Sequence, residues 1–232
     1  MLLLFDIDGT LVSGAAAAHA EALHEALHAV HGIETHSVPM PVSPAGRTDP
    51  EIARALLLRA GISAEQIDDR AGAVREHCCQ AYARLCPPDL SATVLPGVSD
   101  LLDWLATRTG VELGLLTGNY EPVARLKLRR AGLGRHFPSG MGAFGSDSED
   151  RTMLPAIARR RAGTVGAPYP RERTVVIGDT PRDIACARAD DVRCVAVATG
   201  PFDSQALRDA DTVVAGAQGL REALEDLIAV PG

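Results

Sequence analysis

Short, unbroken apolar runs punctuate this chain, and several stop abruptly at small polar or acidic residues. Leu2 to Phe5 runs into Asp6, the stretch from Leu113 runs into Thr117, and the stretch from Thr174 runs into Gly178-Asp179. Runs of this length without polar alternation read as parallel strands covered on both faces. Helical patterns separate them. Residues 15–30 are alanine-rich, with Leu23, Leu27 and Val30 recurring at helical spacing until Gly32. A breaker-rich loop covers 39–47. Thr48-Asp49-Pro50 then opens a second helix, with Asp49 expected as the cap and Pro50 at the first helical position, running to about Ala60 before Gly61. Ser63-Ala-Glu-Gln66 fits a capping box, and the pattern stays helical through Leu85 until Pro87-Pro88.

After Leu95-Pro96-Gly97-Val98, helices are expected over 98–108 and 121–131, a weak strand over 140–144, and an arginine-rich helix over 153–163. Beyond the Asp179 strand, the pattern predicts a helix from Arg182, strands at 193–198 and 212–214, and a final helix to about Ala229 whose apolar stripe packs on the sheet. The expected fold is α/β: a doubly wound, Rossmann-like parallel sheet with an inserted all-helical domain. Residues 1–13 and 95–232 would form the sheet domain and 14–94 the insert.

In such sheets, ligands bind beyond the carboxyl ends of the strands. The groups delivered there are Asp6 and Asp8, Thr117-Gly118-Asn119, and Asp179 with Asp183. Asp6-Ile-Asp8-Gly-Thr, Thr117-Gly-Asn and Gly-Asp179-x-x-x-Asp183, in this order, resemble the motifs of the haloacid dehalogenase-like hydrolases. The resemblance covers the sheet domain, about two thirds of the chain, and the helical insert matches that family's cap domain.

This resemblance implies a Mg2+-dependent phosphomonoester hydrolase. Asp6 would attack phosphorus to form an aspartyl phosphate, and Asp8 would serve as acid and then base. Asp6 and Asp179 would ligate the metal with the main-chain carbonyl of Asp8, and Asp183 would support it. Thr117 and the amides around Gly118, with Asn119, would hold the phosphate. Halide-displacing relatives carry a non-acidic residue at the Asp8 position, so dehalogenation is disfavoured. The likeness is greatest to the phosphatase branch that includes phosphoglycolate phosphatases. A phosphomutase of sugar phosphates and a catalytically idle metabolite-binding protein are the alternatives.

One element departs from the family pattern. Relatives place a lysine some 25 residues before the Gly-Asp motif, whereas this chain has Asp150-Arg151 nearest to that place. Of the 23 basic residues, Lys127 is the single lysine. An ammonium kept in so arginine-biased a chain suggests a specific use. Lys127 is therefore expected to stabilise charge at Asp6 and the phosphate directly, with Arg151 as partner or substitute. The insert contains no lysine, which removes the phosphonate-cleaving branch. Its Arg47, beside a helix start, is a candidate for binding an anionic substrate.

Composition narrows the setting. A net charge of -7 argues against nucleic acid or anionic membrane as partner. No signal peptide is expected at the start, and no apolar run approaches the roughly 18 residues of a membrane span. The five cysteines, odd in number and without Cys-x-x-Cys spacing, point to a reducing compartment and hence the cytoplasm. His24, His28 and His31 read as a solvated helix face rather than a metal patch. Nothing in the sequence sets the oligomeric state or the physiological substrate.

Overall fold

The computed structural model describes residues 1–39 and 42–229. Six strands form one sheet: β1 (Leu2–Phe5), β2 (Glu112–Thr117), β3 (Ala143–Phe144), β4 (Thr174–Gly178), β5 (Arg193–Val197) and β6 (Thr212–Val214). Every pairing is parallel, in the order β3-β2-β1-β4-β5-β6. Burial on both faces explains why the central strands are apolar without alternation. Leu3 and Phe5 enter one core with Leu115, Val175 and Ile177, and Leu2 and Leu4 enter the other with Leu116 and Val176.

Helices α4 (Val98–Ala106), α5 (Glu121–Arg130) and α8 (Ala217–Ala229) contribute to the first core, and α6 (Leu154–Ala162) and α7 (Pro181–Ala189) to the second. The strand order reverses direction at β1. The carboxyl ends of β1, β2 and β4 therefore open on one crevice, the expected ligand position of a doubly wound sheet. The strand expected over 140–144 is only two residues long. Gly140 and Gly142 have φ of 82° and 100°, and a side chain at Gly142 would collide with the Leu115 backbone.

Between β1 and β2 lie α1 (Ala17–His31), α2 (Asp49–Arg59) and α3 (Ala64–Leu85), with α1 packed along α3. Gly32 ends α1 in the left-handed conformation, φ 69°, its N–H donating to the His28 carbonyl. Ser63 and Gln66 form the expected capping box of α3. The cap of α2 is Thr48 rather than Asp49: the Thr48 hydroxyl accepts from the Glu51 N–H. Asp49 is thereby released for tertiary contacts. On the histidine-rich face His28 and Glu34, 3.0 Å apart, are exposed, and His24 stacks on His36 with centroids 4.3 Å apart. All five cysteines are free thiols. No helix among the described residues is long and apolar enough to cross a membrane.

The chain leaves and re-enters the sheet region side by side. Ser13 N–H donates to the Thr93 carbonyl at 2.8 Å, and Leu95 N–H to the Leu11 carbonyl at 3.0 Å. The helical insert is seated on the crevice by hydrogen bonds to backbone carbonyls. Asp49 N–H donates to the Gly118 carbonyl at 2.8 Å, and the Thr48 hydroxyl to the Glu149 carbonyl at 2.7 Å. A Cβ on Gly118 would overlap the Arg47 carbonyl oxygen. Gly118→Ala should therefore lower stability by about 1–3 kcal/mol through overpacking. Thermal unfolding followed by circular dichroism checks this, and an unchanged Tm would mean that the insert is not seated on Gly118 in solution.

Candidate active site

β1 is wholly buried, and its last apolar residue is followed at once by Asp6, which is 4% exposed and held to β4 through its N–H on the Ile177 carbonyl at 2.9 Å. The Ile7 carbonyl accepts from the N–H groups of Leu11 and Val12, closing a tight loop that brings Asp8 back toward the crevice. Gly9 is required in that loop. Its φ is 89°, and a side chain there would collide with the Asp179 carboxylate, as would one on Gly200. Asp179, at the end of β4, accepts from the Thr10 hydroxyl at 3.2 Å. Asp183, on the first turn of α7, accepts from the Thr180 hydroxyl and N–H at 2.7 and 3.0 Å.

One oxygen from each of Asp6, Asp179 and Asp183 can be chosen so that all lie within 4.8 Å of one another, and all three residues are buried. Arg151 is the cation among them. One guanidinium nitrogen lies 3.0 Å from Asp6 Oδ1 and 2.5 Å from Asp183 Oδ1, and the residue is 5% exposed. A single guanidinium does not neutralise three carboxylates. Burial, with Asp183 and Asp8 nearby and despite Arg151, pushes Asp6 up to about 7, and burial with Asp6 and Asp183 pushes Asp179 up to about 8. Hard oxygen donors crowded with uncompensated negative charge are what Mg2+ takes. The residues present fit it, with Asp6 and Asp179 as the more available ligands, since both oxygens of Asp183 already serve Thr180 and Arg151.

The second cation is Lys127, fully buried on α5. Its Nζ lies 2.8 and 2.7 Å from the two oxygens of Asp8 and 2.9 Å from Asn119 Oδ1, so its three N–H donors are all used. Asn119 Nδ2 also donates to Asp8 Oδ2 at 3.2 Å. Burial works to raise the Asp8 pKa, but the charge and hydrogen bonds of Lys127, with His19 and Asn119, outweigh it and hold Asp8 below the usual carboxylate range. The two cations thus divide the acids differently from the expectation. Arg151 touches Asp6, whereas Lys127 holds Asp8, because Lys127 on α5 reaches the β1 loop rather than the cluster of Asp6, Asp179 and Asp183.

Other candidates also take specific places. The Thr117 hydroxyl lies at the cavity wall and accepts from the Asn119 N–H at 3.3 Å. Gly118 does not line the cavity; it is pressed against the insert's backbone at Arg47 and Thr48. Arg47 lines the cavity, but its guanidinium is paired with Glu51 and donates from Nε to the Ser43 carbonyl at 2.9 Å. Asn119 is engaged with Asp8 and Lys127 rather than left open to a substrate.

The cavity over Asp6 has a volume of about 520 Å3. Sequence reasoning missed two residues in it. His19 Nε2 lies 3.0 Å from Asp49 Oδ2, and the same carboxylate oxygen accepts from the Tyr120 N–H at 2.7 Å, joining α1, α2 and the sheet region. The sequence signal for Asp49 was masked by an adjacent, equally good cap at Thr48. His19 sits at helical spacing with Ala16, Ala20 and Leu23, a pattern that by itself marks only one helix face.

Comparison with known proteins agrees with this geometry. Residues 1–189 match the family model described as haloacid dehalogenase-like hydrolase, a span that includes every acid and cation of the site. The phosphoglycolate phosphatase of Rhodospirillum rubrum is 31% identical over 203 residues, covering 85% of this chain and 79% of that protein. The phosphoglycolate phosphatase of Pseudomonas syringae pv. syringae is 30% identical over 203 residues, covering 86% and 70%. Among solved structures, the β-phosphoglucomutase of Clostridium difficile superposes with a TM-score of 0.68 at 16% identity, covering 98% of this chain and 96% of that one, which speaks to the fold alone. With its motif-bearing strands, its acid cluster and its helical insert in the matching order, the chain belongs to the haloacid dehalogenase-like hydrolase family.

Proposed function

We propose that this protein is a Mg2+-dependent phosphomonoester hydrolase of small phosphorylated metabolites, working through an aspartyl phosphate on Asp6. The observation that carries the reading is the presentation of Asp6 and Asp8 into one cavity with separate buried counter-charges, Arg151 at the first and Lys127 at the second. A binding protein has no use for a nucleophile and an acid so arranged. Hydrolysis is preferred to mutase chemistry because the relatives at about 30% identity are named as phosphatases, whereas the mutase neighbour shares only the fold. Phosphoglycolate, the substrate in those relatives' names, enters as a test compound.

In the first half-reaction an Asp6 oxygen attacks phosphorus, the ester P–O bond breaks, and Asp8, carrying the proton that the second half returns to it, gives that proton to the departing alkoxide. In the second, Asp8 takes a proton from water, the resulting hydroxide attacks phosphorus, and the bond to Asp6 breaks to release inorganic phosphate. Lys127 favours the carboxylate form of Asp8, the form required in this second half. Arg151 orients Asp6 and offers positive charge to the phosphoryl oxygens, and the Thr117 hydroxyl lies where it can donate to one of them. Bound at Asp6 and Asp179, Mg2+ would draw charge from the phosphoryl group and allow the acids to remain ionised beside it.

Phosphate release from a panel of phosphomonoesters should vanish in Asp6→Asn and on chelation of divalent ions, returning in the latter case with Mg2+. Release that survives either treatment would defeat the mechanism. Arg151→Ala and Lys127→Ala should each lower kcat by at least about tenfold, a loss of about 1.4 kcal/mol. If neither does, the two cations have no part in the chemistry.

The pairing of Lys127 with Asp8 can be read without activity. Asp8→Ala strands a buried ammonium and should cost about 2 kcal/mol, less than a fully buried pair because Asp8 opens to the cavity. Adding Lys127→Met should restore part of that loss in thermal or urea unfolding. A double variant no more stable than Asp8→Ala would show that Lys127 does not depend on Asp8.

A further inference from the structure

Beyond the acids, the cavity is walled by inward residues of α1 and α2 and by the loops at 12–16, 44–47 and 199–201. The residues that α1 and the turn before it turn inward are Ala16, His19, Ala20 and Leu23, at helical spacing, and those of α2 are Asp49, Ile52 and Leu56. His24 of α1 also lines the cavity, and of the other polar groups on these helices His19 and Asp49 are bonded to each other at 3.0 Å, with Asp49 further tied to the Tyr120 N–H. The rest of the wall is mostly apolar, with Val12 fully buried and Leu56 1% exposed behind it, and its polar groups include the hydroxyls of Ser13, Thr180 and Thr199.

Positive charge is distributed just as narrowly. Among the described residues lining the cavity, Arg151 is committed to Asp6 and Asp183, and Arg47, just before α2, is paired with Glu51, whose carboxylate also lies 3.8 Å from Arg182. His24 accepts or donates at Thr35 Oγ1, 2.6 Å away, and stacks on His36, with burial keeping its pKa below the usual value. Lys127 is held by Asp8 and Asn119. A second anionic group on the substrate, reaching past the phosphate toward α1 and α2, would meet an apolar surface and the Asp49 carboxylate. It would exchange water for no counter-charge, an unfavourable transfer.

From this cavity, and resting on the phosphatase reading above, we infer that the substrate's leaving group is an uncharged, partly apolar alcohol and not a hydroxy acid. The Ala16 and Ala20 positions leave room for it, Leu23, Ile52 and Leu56 bury its carbon skeleton, and the phosphate is its one anionic group. The pairing of Arg47 with Glu51 is the device that sets this preference, since it withholds from the substrate the guanidinium that could otherwise bind a carboxylate.

Matched esters test the inference. Glycerol 3-phosphate and 3-phosphoglycerate have the same carbon count and differ in the neutral or anionic end; phosphoglycolate and 2-methylpropyl phosphate extend the comparison. The kcat/KM for glycerol 3-phosphate should exceed that for 3-phosphoglycerate by at least about tenfold, and 2-methylpropyl phosphate should outrun phosphoglycolate by a similar factor. Equal or faster turnover of the carboxylates overturns the inference and leaves the phosphatase reading intact.

Glu51→Gln, which frees Arg47, should raise kcat/KM for 3-phosphoglycerate by about threefold or more relative to glycerol 3-phosphate. An unchanged ratio counts against the pairing as the selective device. Absence of turnover on every ester would instead sink the hydrolase reading, and the inference is then decided by binding. With Asp6→Asn protein and Mg2+, glycerol 3-phosphate should raise Tm more than 3-phosphoglycerate does, and equal, reversed or absent stabilisation overturns it.

Discussion

Everything at this site follows from the crowding of like charges at the ends of β1 and β4. Asp6, Asp8, Asp179 and Asp183 converge in a crevice closed from above by helices, where repulsion between carboxylates is poorly screened. The structure answers with two fixed cations on different elements. Arg151, on the turn before α6, serves the Asp6 and Asp183 side; Lys127, on α5, serves Asp8. The residual negative charge lies between Asp6 and Asp179, where a divalent cation fits.

The choice of residue at each place follows from side-chain shape. The guanidinium of Arg151 sets one terminal nitrogen between the carboxylates of Asp6 and Asp183. The compact ammonium of Lys127 instead points three donors at three acceptors from the end of a buried stem. The glycines around Asp179 complete the arrangement by negative means: at Gly9 and Gly200 there is no side chain because the carboxylate occupies that space.

Much of this was legible in the sequence, for identifiable reasons. Strands buried on both faces write themselves as unbroken apolar runs, so β1, β2, β4 and β5 were found nearly to the residue, and the helical insert followed from periodicity and capping residues. Asp6, Asp8, Thr117, Asp179 and Asp183 were legible because a strand end fixes where the next side chain goes. Lys127 stood out by its rarity, yet its partner did not, because no local pattern says which turn of α5 lies beneath the β1 loop. Thr48 and Asp49 are equally good helix caps by composition, and only the Tyr120 amide, which draws in Asp49, decides between them. The role of Arg47 was obscured for the same reason: a guanidinium beside a cavity looks available until the Glu51 one turn later is seen to claim it.

The burial of Lys127 reaches beyond the site. This chain has one ε-amino group, and the fold shuts it against Asp8 and Asn119 with all three of its protons engaged. The surface of the folded molecule therefore offers no lysine side chain for acetyl, succinyl or ubiquitin-type attachment. Any agent that did modify that amine would first have to open the crevice, so marking the lysine would at once take it from Asp8 and Asn119.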